Sequence, residues 1–425
     1  MTSPILPAPS PLDSASEVMT KTLKTLKLRG LLSTLTLLIL TLSVTWGAIT
    51  GLLLAIQVQI IDPEGYVGSL ALIVGCGAIA AMLAAPIAGA VTDRTRTRWG
   101  GRVPWMLGAA VATLGVCILF IFANSIAFLL VCAVLLQITT NFINTPATTY
   151  IPTRVPVERR GIFSSMVGLA TLIGAVVGTA LGATLAGVLA AGYITLGVLV
   201  VVMTTIFALV NRRSNIDDPK EPWNVGALFR TFWVNPVRYP NFAFVFSGRF
   251  LLFAGYFAVS TYGFYLLQNY IGLGEAAVGV VPLLGLVGLV AMIIAAPIGG
   301  VVLDKIGRAK PLIYVTTAIM AVGLLVPLFM PTLPGMLIYA FVTGIGFGAY
   351  QSIDFVLVTQ VLPSQHEAGK DLGIINMTTT LPQTIGVAVA GTVVTVFDNY
   401  AALFPIAAGA AILGALLLIP VRGVR

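Results

Sequence analysis

Apolar runs long enough to cross a bilayer follow one another along almost the whole of this chain. A run of about 18 or more apolar residues reads as a membrane-spanning helix, because a helix satisfies its own backbone where no water can. The runs place helices near 31–58, 67–92, 105–123, 126–150, 161–190 and 193–211, then near 241–270, 277–302, 311–330, 334–361, 370–396 and 400–420. Composition agrees: 58% of the residues are hydrophobic and 9% charged, against about 25% charged in soluble domains.

The chain also repeats itself. AAPIAGAVTDR (Ala84–Arg94) returns 211 residues later as AAPIGGVVLDK (Ala295–Lys305), with seven of eleven positions identical: Ala, Ala, Pro, Ile, Gly, Val and Asp. Both copies run on into basic residues, Arg96, Arg98 and Arg102 in the first and Arg308 and Lys310 in the second. The copies fall on the second and eighth helices, so the chain reads as two related halves. The expected fold class is all-α: a polytopic membrane protein of twelve transmembrane helices in two pseudo-symmetric six-helix bundles. The expected organisation is an N-terminal tail (1–30), a first bundle (31–211), a linker (212–240), a second bundle (241–420) and a short tail (421–425).

Orientation follows from the cations. Of 23 Lys and Arg, 22 lie in the tails or in connections after even-numbered helices; the exception is Arg249. Connections after odd-numbered helices hold only Asp62, Glu64, Glu275 and Asp398 as charged residues. By the positive-inside rule both termini, and the linker, are expected on the cytoplasmic side of the cell (inner) membrane. The net charge of +8 is thereby a topology signal, and nucleic acid is not expected as a partner. The tail before residue 31 reads as mobile with a basic juxtamembrane end, not as a cleavable leader.

A carboxylate followed by cations at the end of a helix can pair with them and with a neighbouring helix terminus. Asp93, Arg94, Arg98 and Arg102, with Asp304, Lys305 and Arg308, are therefore candidates for a pair of conformational latches. A purely topogenic loop would explain the arginines, but not the recurrence of Asp93 as Asp304. G-x-x-x-D-R/K followed by a basic cluster, in both halves of a six-plus-six protein, resembles the signature loop of the major facilitator superfamily. DRTRTRWGGRVP resembles the glycoside–pentoside–hexuronide branch and its sucrose-transporter-like relatives, with Gly101 and Val103 where that branch usually has Arg. KDLGIINMTTTLPQ (Lys370–Gln383) resembles the eleventh helix of the same branch. The resemblance implies the superfamily fold, a central cavity lined by the first, fourth, seventh and tenth helices, and glycoside or sugar import with protons. The Asp residues that melibiose-type carriers place in the second and fourth helices for a cation have no counterpart here, so protons are expected rather than sodium.

The residues themselves supply a candidate cavity. Ser43, Trp46, Thr50 and Gln57 share one face of the first helix at helical spacing, with Trp46 readable as a packing residue or a cavity ring. Gln137, Asn141, Asn144 and Thr148 step by four, three and four along the fourth helix. Such a stripe must face a neighbouring helix or a water-filled cavity. Tyr256 and Ser260 follow Arg249 on the seventh helix, Gln351 lies near Asp354 on the tenth, and Asn376 and Gln383 share a face of the eleventh. Arg249 and Asp354 are charges inside spans at similar depth, and an intramembrane charge is a functional-site hypothesis with its partner named. They are expected to pair and, through protonation of Asp354 or contact with substrate, to couple protons to transport; the alternative is a static ion pair. Gly174, Gly178 and Gly182 on the fifth helix suggest a smooth surface along which the halves rock. Lone His366 reads as a solvated loop residue. The three cysteines lie in spans and form no metal-binding or disulfide pattern, and no nucleotide-binding motif occurs. No cofactor, metal or enzymatic chemistry is expected.

The expected function is secondary active transport of a small polar solute, a sugar or glycoside, by a monomer working through alternating access. Aromatic rings stack on sugar faces and amides bond hydroxyls. Two other readings stay open: a proton-coupled exporter of drugs or other amphipathic compounds, and a non-transporting membrane scaffold or sensor.

Overall fold

The computed structural model describes residues 11–216, 239–361, 368–397 and 399–421. Twelve main helices follow in order. The first half has α1 (Pro11–Ala48), α2 (Tyr66–Arg94), α3 (Val103–Ile121), α4 (Ile126–Thr148), α5 (Val157–Leu185) and α6 (Leu189–Asn211). The second has α7 (Pro240–Thr261), α8 (Ala277–Ile306), α9 (Ala309–Phe329), α10 (Leu333–Val361), α11 (Ala368–Phe397) and α12 (Leu403–Leu416). Among the described residues nine segments are long and apolar enough to cross a membrane. One of them, Arg159–Asn211, holds both α5 and α6, and the apolar described parts of α11 and α12 are shorter. This order is consistent with twelve crossings.

Helix ends follow local chemistry. Ser125 caps α4 by accepting from the Phe128 N–H, as a short hydroxyl side chain can. Gly307 ends α8 at φ +65°, a left-handed position that suits a residue without Cβ. Two departures from expectation stand out. α1 begins at Pro11 rather than near residue 31, so the stretch 11–30, expected as a mobile tail, continues the first helix. Proline suits a first helical turn, where its missing N–H has no partner to lose. α1 is also interrupted by a π-turn at Ile49–Leu53 before it resumes as Leu54–Ile61. The expected linker helix, His366 and the last tail residues, 422–425, lie outside the described residues.

The packing obeys one rule. α1 packs on α5 and α6, α3 on α4 and α6, and α2 on α4. Adding six to each number gives the second half: α7 on α11 and α12, α9 on α10 and α12, α8 on α10. Between the halves, α2 meets α11 and α5 meets α8, again exchanged by the same rule. The repeat seen in eleven residues thus governs the whole tertiary structure.

Small residues make the close approaches, since lipid offers no hydrophobic force to press helices together. A Cβ on Gly174 would lie 2.6 Å from the Ser43 Cβ, and one on Gly178 would fall on the Val44 carbonyl oxygen. The glycine stripe of α5 therefore locks α5 onto α1 inside one half. It is not the surface between halves that the sequence suggested, because the stripe and the α8-facing residues of α5 lie on different sides of the helix. At the α5–α8 contact a Cβ on Gly285 would sit 3.6 Å from Val176, an ordinary separation that leaves the halves free of interlock there. Gly178→Val is expected to destabilise the protein by about 1–3 kcal/mol or more through overpacking. Gly168→Ala, with nothing within 4 Å of the new Cβ, is expected to be neutral. Thermal unfolding of the detergent-purified variants checks the contrast.

Candidate functional site

A central cavity of about 640 Å³ lies between the halves. Trp46 and Thr50 from α1, Gln137, Asn141 and Asn144 from α4, Tyr256 and Ser260 from α7, and Gln351 from α10 all line it. The side chains of Asn376 and Gln383 lie outside the described residues. Asn141 donates to the Gln137 carbonyl at 2.8 Å. The side-chain amides of Gln137, Asn144 and Gln351 and the Trp46 indole N–H have no protein partner among the described residues. Trp46 is 39% exposed, so its ring faces the cavity. No charged side chain lines the cavity among the described residues.

Two residues of the expected polar faces lie elsewhere. Thr148 bonds back to the Asn144 and Thr145 carbonyls of its own helix. Gln57 is buried, donates to the Phe120 carbonyl at 2.7 Å and accepts from the Tyr193 hydroxyl at 2.6 Å. The π-turn at Ile49–Leu53 explains this. Its wider turn shifts the helical register, so residues after it swing from the cavity toward α3 and α6.

The second half supplies an aromatic wall. Tyr256 stacks on Phe347 with centroids 4.1 Å apart, and Phe253 meets Phe347 edge-on at 5.3 Å. Behind it sit the intramembrane charges. Arg249 Nη1 is 3.0 Å from Asp354 Oδ2, with the side chains 11% and 5% exposed. The Tyr350 hydroxyl donates to Asp354 Oδ1 at 2.9 Å, and the Arg249 guanidinium lies 5.2 Å over the Phe253 ring. The pair is absent from the cavity lining, whereas Phe253, over which Arg249 lies, is part of it, so Phe253 stands between the pair and the space a solute would occupy. Substrate contact at the pair, one of two ways the sequence reading gave for breaking it, has no support in this geometry.

At the end of the helices that carries the acidic connections, tyrosines tie the halves together. The hydroxyls of Tyr66 and Tyr400 are 2.9 Å apart, and Asn269 donates to Tyr66 at 3.0 Å. Tyr265 donates to the Ala55 carbonyl at 2.8 Å and Tyr262 to the Val67 carbonyl at 3.2 Å. Each of these bonds joins the halves, at the end carrying the acidic connections. There, too, a Cβ on Gly391 of α11 would lie 2.6 Å from that of Ala71 on α2.

The family model of the Major Facilitator Superfamily matches residues 31–296 and 283–424. The chain belongs to the major facilitator superfamily. Solved structures agree in fold. A D-xylose–proton symporter superposes with TM-score 0.69 at 14% identity, covering 93% of this chain and 98% of its own. A mutant of the nucleoside transporter NupG gives 0.71 at 16%, covering 92% and 100%. A bacterial homologue of the human lysosomal transporter Spinster, inward-facing and unoccupied, gives 0.69 at 16%, covering 92% and 94%. No curated protein matches. The chain is accordingly a multi-pass membrane protein of a transporter superfamily.

The superfamily's signature loop is well defined in the first half. Arg102 reaches Asp93 Oδ1 through Nη2 at 2.8 Å and Nε at 3.1 Å, and Thr153 through Nη1. Arg94 donates to the Ala90 carbonyl, and Arg98 is exposed. Asp93 therefore pairs within its own half, across the α2–α3 turn. An exposed pair of this kind adds little stability. Asp304, Lys305 and Arg308 are exposed, and no ion pair joins them among the described residues. Asn215, which the sequence reading passed over, clamps the first loop: it donates to the Thr95 carbonyl and accepts from the Thr97 N–H. Tyr66 and Tyr400 were also missed. Their signal was a tyrosine opening the segment after a short acidic connection in each half.

Gln57→Ala strands the buried Tyr193 hydroxyl and removes one of the bonds to the Phe120 carbonyl, which costs about 1–3 kcal/mol, and should lower the unfolding temperature. Gln137→Ala strands none and should leave it unchanged. Differential scanning fluorimetry of the two variants separates a structural amide from a cavity amide.

Proposed function

We propose that the protein is a secondary active transporter that carries a small uncharged polar solute, a sugar or glycoside, by alternating access coupled to a proton gradient. One observation carries this reading: among the described residues the cavity has no lining charge, and amides without a protein partner on α4 and α10 face a stacked aromatic wall. Unpaired amides match the hydroxyls of a sugar, and the Tyr256–Phe347 wall matches its apolar face. An ionic solute would leave its charge without a partner in low dielectric.

The basic connections set the end with the signature loops toward the cytoplasm of the cell (inner) membrane. The tyrosine end is then external, and because the halves are bonded together there we take the cavity to open inward. The Asp93 and Asp304 loops serve as conformational latches that re-form as the basic end opens and closes. Asp354 carries the coupling proton, with Arg249 as its counter-ion, and the protein works as a monomer. Sodium has no carboxylate in α2 or α4 to hold it inside the membrane.

A second reading is favoured by the apolar side of the cavity, where Val176, Leu284 and Met292 line α5 and α8. It is a proton-coupled exporter of amphipathic compounds.

Uptake by proteoliposomes, screened with mono- and disaccharides under an imposed proton gradient, tests both. The expected result is sugar-dependent proton entry that is lost in Asp354→Asn. Gln137→Ala should raise the half-saturating concentration about fivefold, the loss of one neutral hydrogen bond. Sugar flux whose proton dependence survives in Asp354→Asn discards Asp354 as the coupling group. Silence toward every sugar, with proton-driven flux of a lipophilic dye, selects the exporter.

A further inference from the structure

The proposed coupling charge and the proposed solute site do not touch. Asp354 lies outside the cavity, and the cavity holds no other charge among the described residues. A coupled transporter with that separation needs a physical link between them. One continuous set of contacts supplies it. The Tyr350 hydroxyl donates to Asp354 Oδ1 at 2.9 Å. The Tyr350 ring meets Phe253 with centroids 6.1 Å apart at 69°. Phe253 meets Phe347, and Phe347 stacks on Tyr256 in the cavity wall.

We infer that Tyr350 is a positioning residue that holds the Asp354 carboxylate with one oxygen toward Arg249 and transmits its protonation to the cavity wall. This rests on the proton-coupled reading above. The two oxygens of Asp354 are divided between two donors: Oδ2 faces Arg249 and Oδ1 takes the phenol. When a proton adds to the carboxylate, the charge attracting Arg249 is gone and the phenol loses a charge-assisted bond. Tyr350 and Arg249 both rest on Phe253, so the loss of either contact frees that ring. Phe253 then transmits the change to Phe347 and the stacked Tyr256. Deprotonation reverses each contact. No covalent bond other than O–H forms or breaks.

The surroundings leave few other groups to answer for such a titration. α7 brings Arg249 and Tyr256, and α10 itself Tyr339 and Tyr350. α8 has no titratable residue from Ala277 to Leu303, and α12 none from Leu403 to Val421. α9 carries Lys310 and Tyr314 toward the basic end, and the side chains of Lys370 and Asp371 on α11 lie outside the described residues.

The test reads the carboxyl directly and needs no solute. Infrared difference spectra of the reconstituted protein, titrated with acid, report the C=O stretch of a protonated buried carboxyl. The expected band is present in the wild type and lost in Asp354→Asn. In Tyr350→Phe, which keeps the ring and removes one donor to the charged form, its midpoint should move to higher pH by about one unit. Phe347→Leu breaks the chain nearer the cavity and should leave the midpoint in place. An unmoved midpoint in Tyr350→Phe, an equal shift in Phe347→Leu, or a band that persists in Asp354→Asn would overturn the inference. If the band behaves as expected while no sugar is transported, the sugar reading falls and the role of Tyr350 stands.

Discussion

Hydrocarbon gives helices no hydrophobic reason to associate, and the rest of this structure depends on how the chain answers that. Where a soluble bundle would press apolar stripes together, this one brings backbones close at glycine and alanine. Gly174 and Gly178 let α5 lie against the carbonyls of α1. In the second half Gly386 does the same against Ala254, and Gly255 against Ala407. These contacts interlock at sub-van der Waals spacing for any added Cβ, so each half behaves as a solid body. The α5–α8 contact between halves lacks that interlock at Gly285. Between the halves, α2 and α11 come equally close at Gly391 and Ala71, so the tight seam lies at the tyrosine end and the looser one at α5–α8, an arrangement that suits the proposed rocking about a central cavity.

Polar groups follow the same constraint, since any left without a partner in hydrocarbon is costly. Two solutions occur side by side. Gln57 finds a partner for each of its side-chain polar atoms, in Phe120 and Tyr193, and ties three helices of one half together. Gln137, Asn144 and Gln351 are left for the cavity, where water or a solute can satisfy them. The Arg249–Asp354 pair is a third case: removing either partner would leave a buried charge, a far larger loss than the pair itself contributes. Phe253 lies between that charge and the cavity, whose lining carries no charge among the described residues.

Much of this was legible in the sequence because two periodicities are strong. Apolar runs separated by charged connections gave the helices, and the Ala84–Arg94 repeat gave the halves. Helical spacing alone put Trp46, Thr50, Gln137, Asn141 and Asn144 on the faces that line one cavity. It misplaced Gln57 because nothing in ITGLL announces a π-turn, and a single wide turn moves every later residue to another face. It misassigned the α5 glycines because spacing shows that a close approach exists but not which helix makes it. The tyrosine seal was invisible for a related reason. Tyr66, the Tyr265–Asn269 turn and Tyr400 are far apart in the chain, and only the pairing of α2 with α11 and the course of α7 bring them together.

The central claim is that one cavity opens at the basic end while tyrosines close the other. Ser260, exposed in that cavity, allows a direct test as Ser260→Cys in a background whose native cysteines are replaced. In sealed vesicles of known orientation, a membrane-impermeant thiol reagent should label it from the side of the basic loops. It should gain access from the opposite side once Tyr66 and Tyr400 are both changed to Phe. Labelling from the tyrosine side in the parent protein, or no labelling from the basic side, would contradict the account.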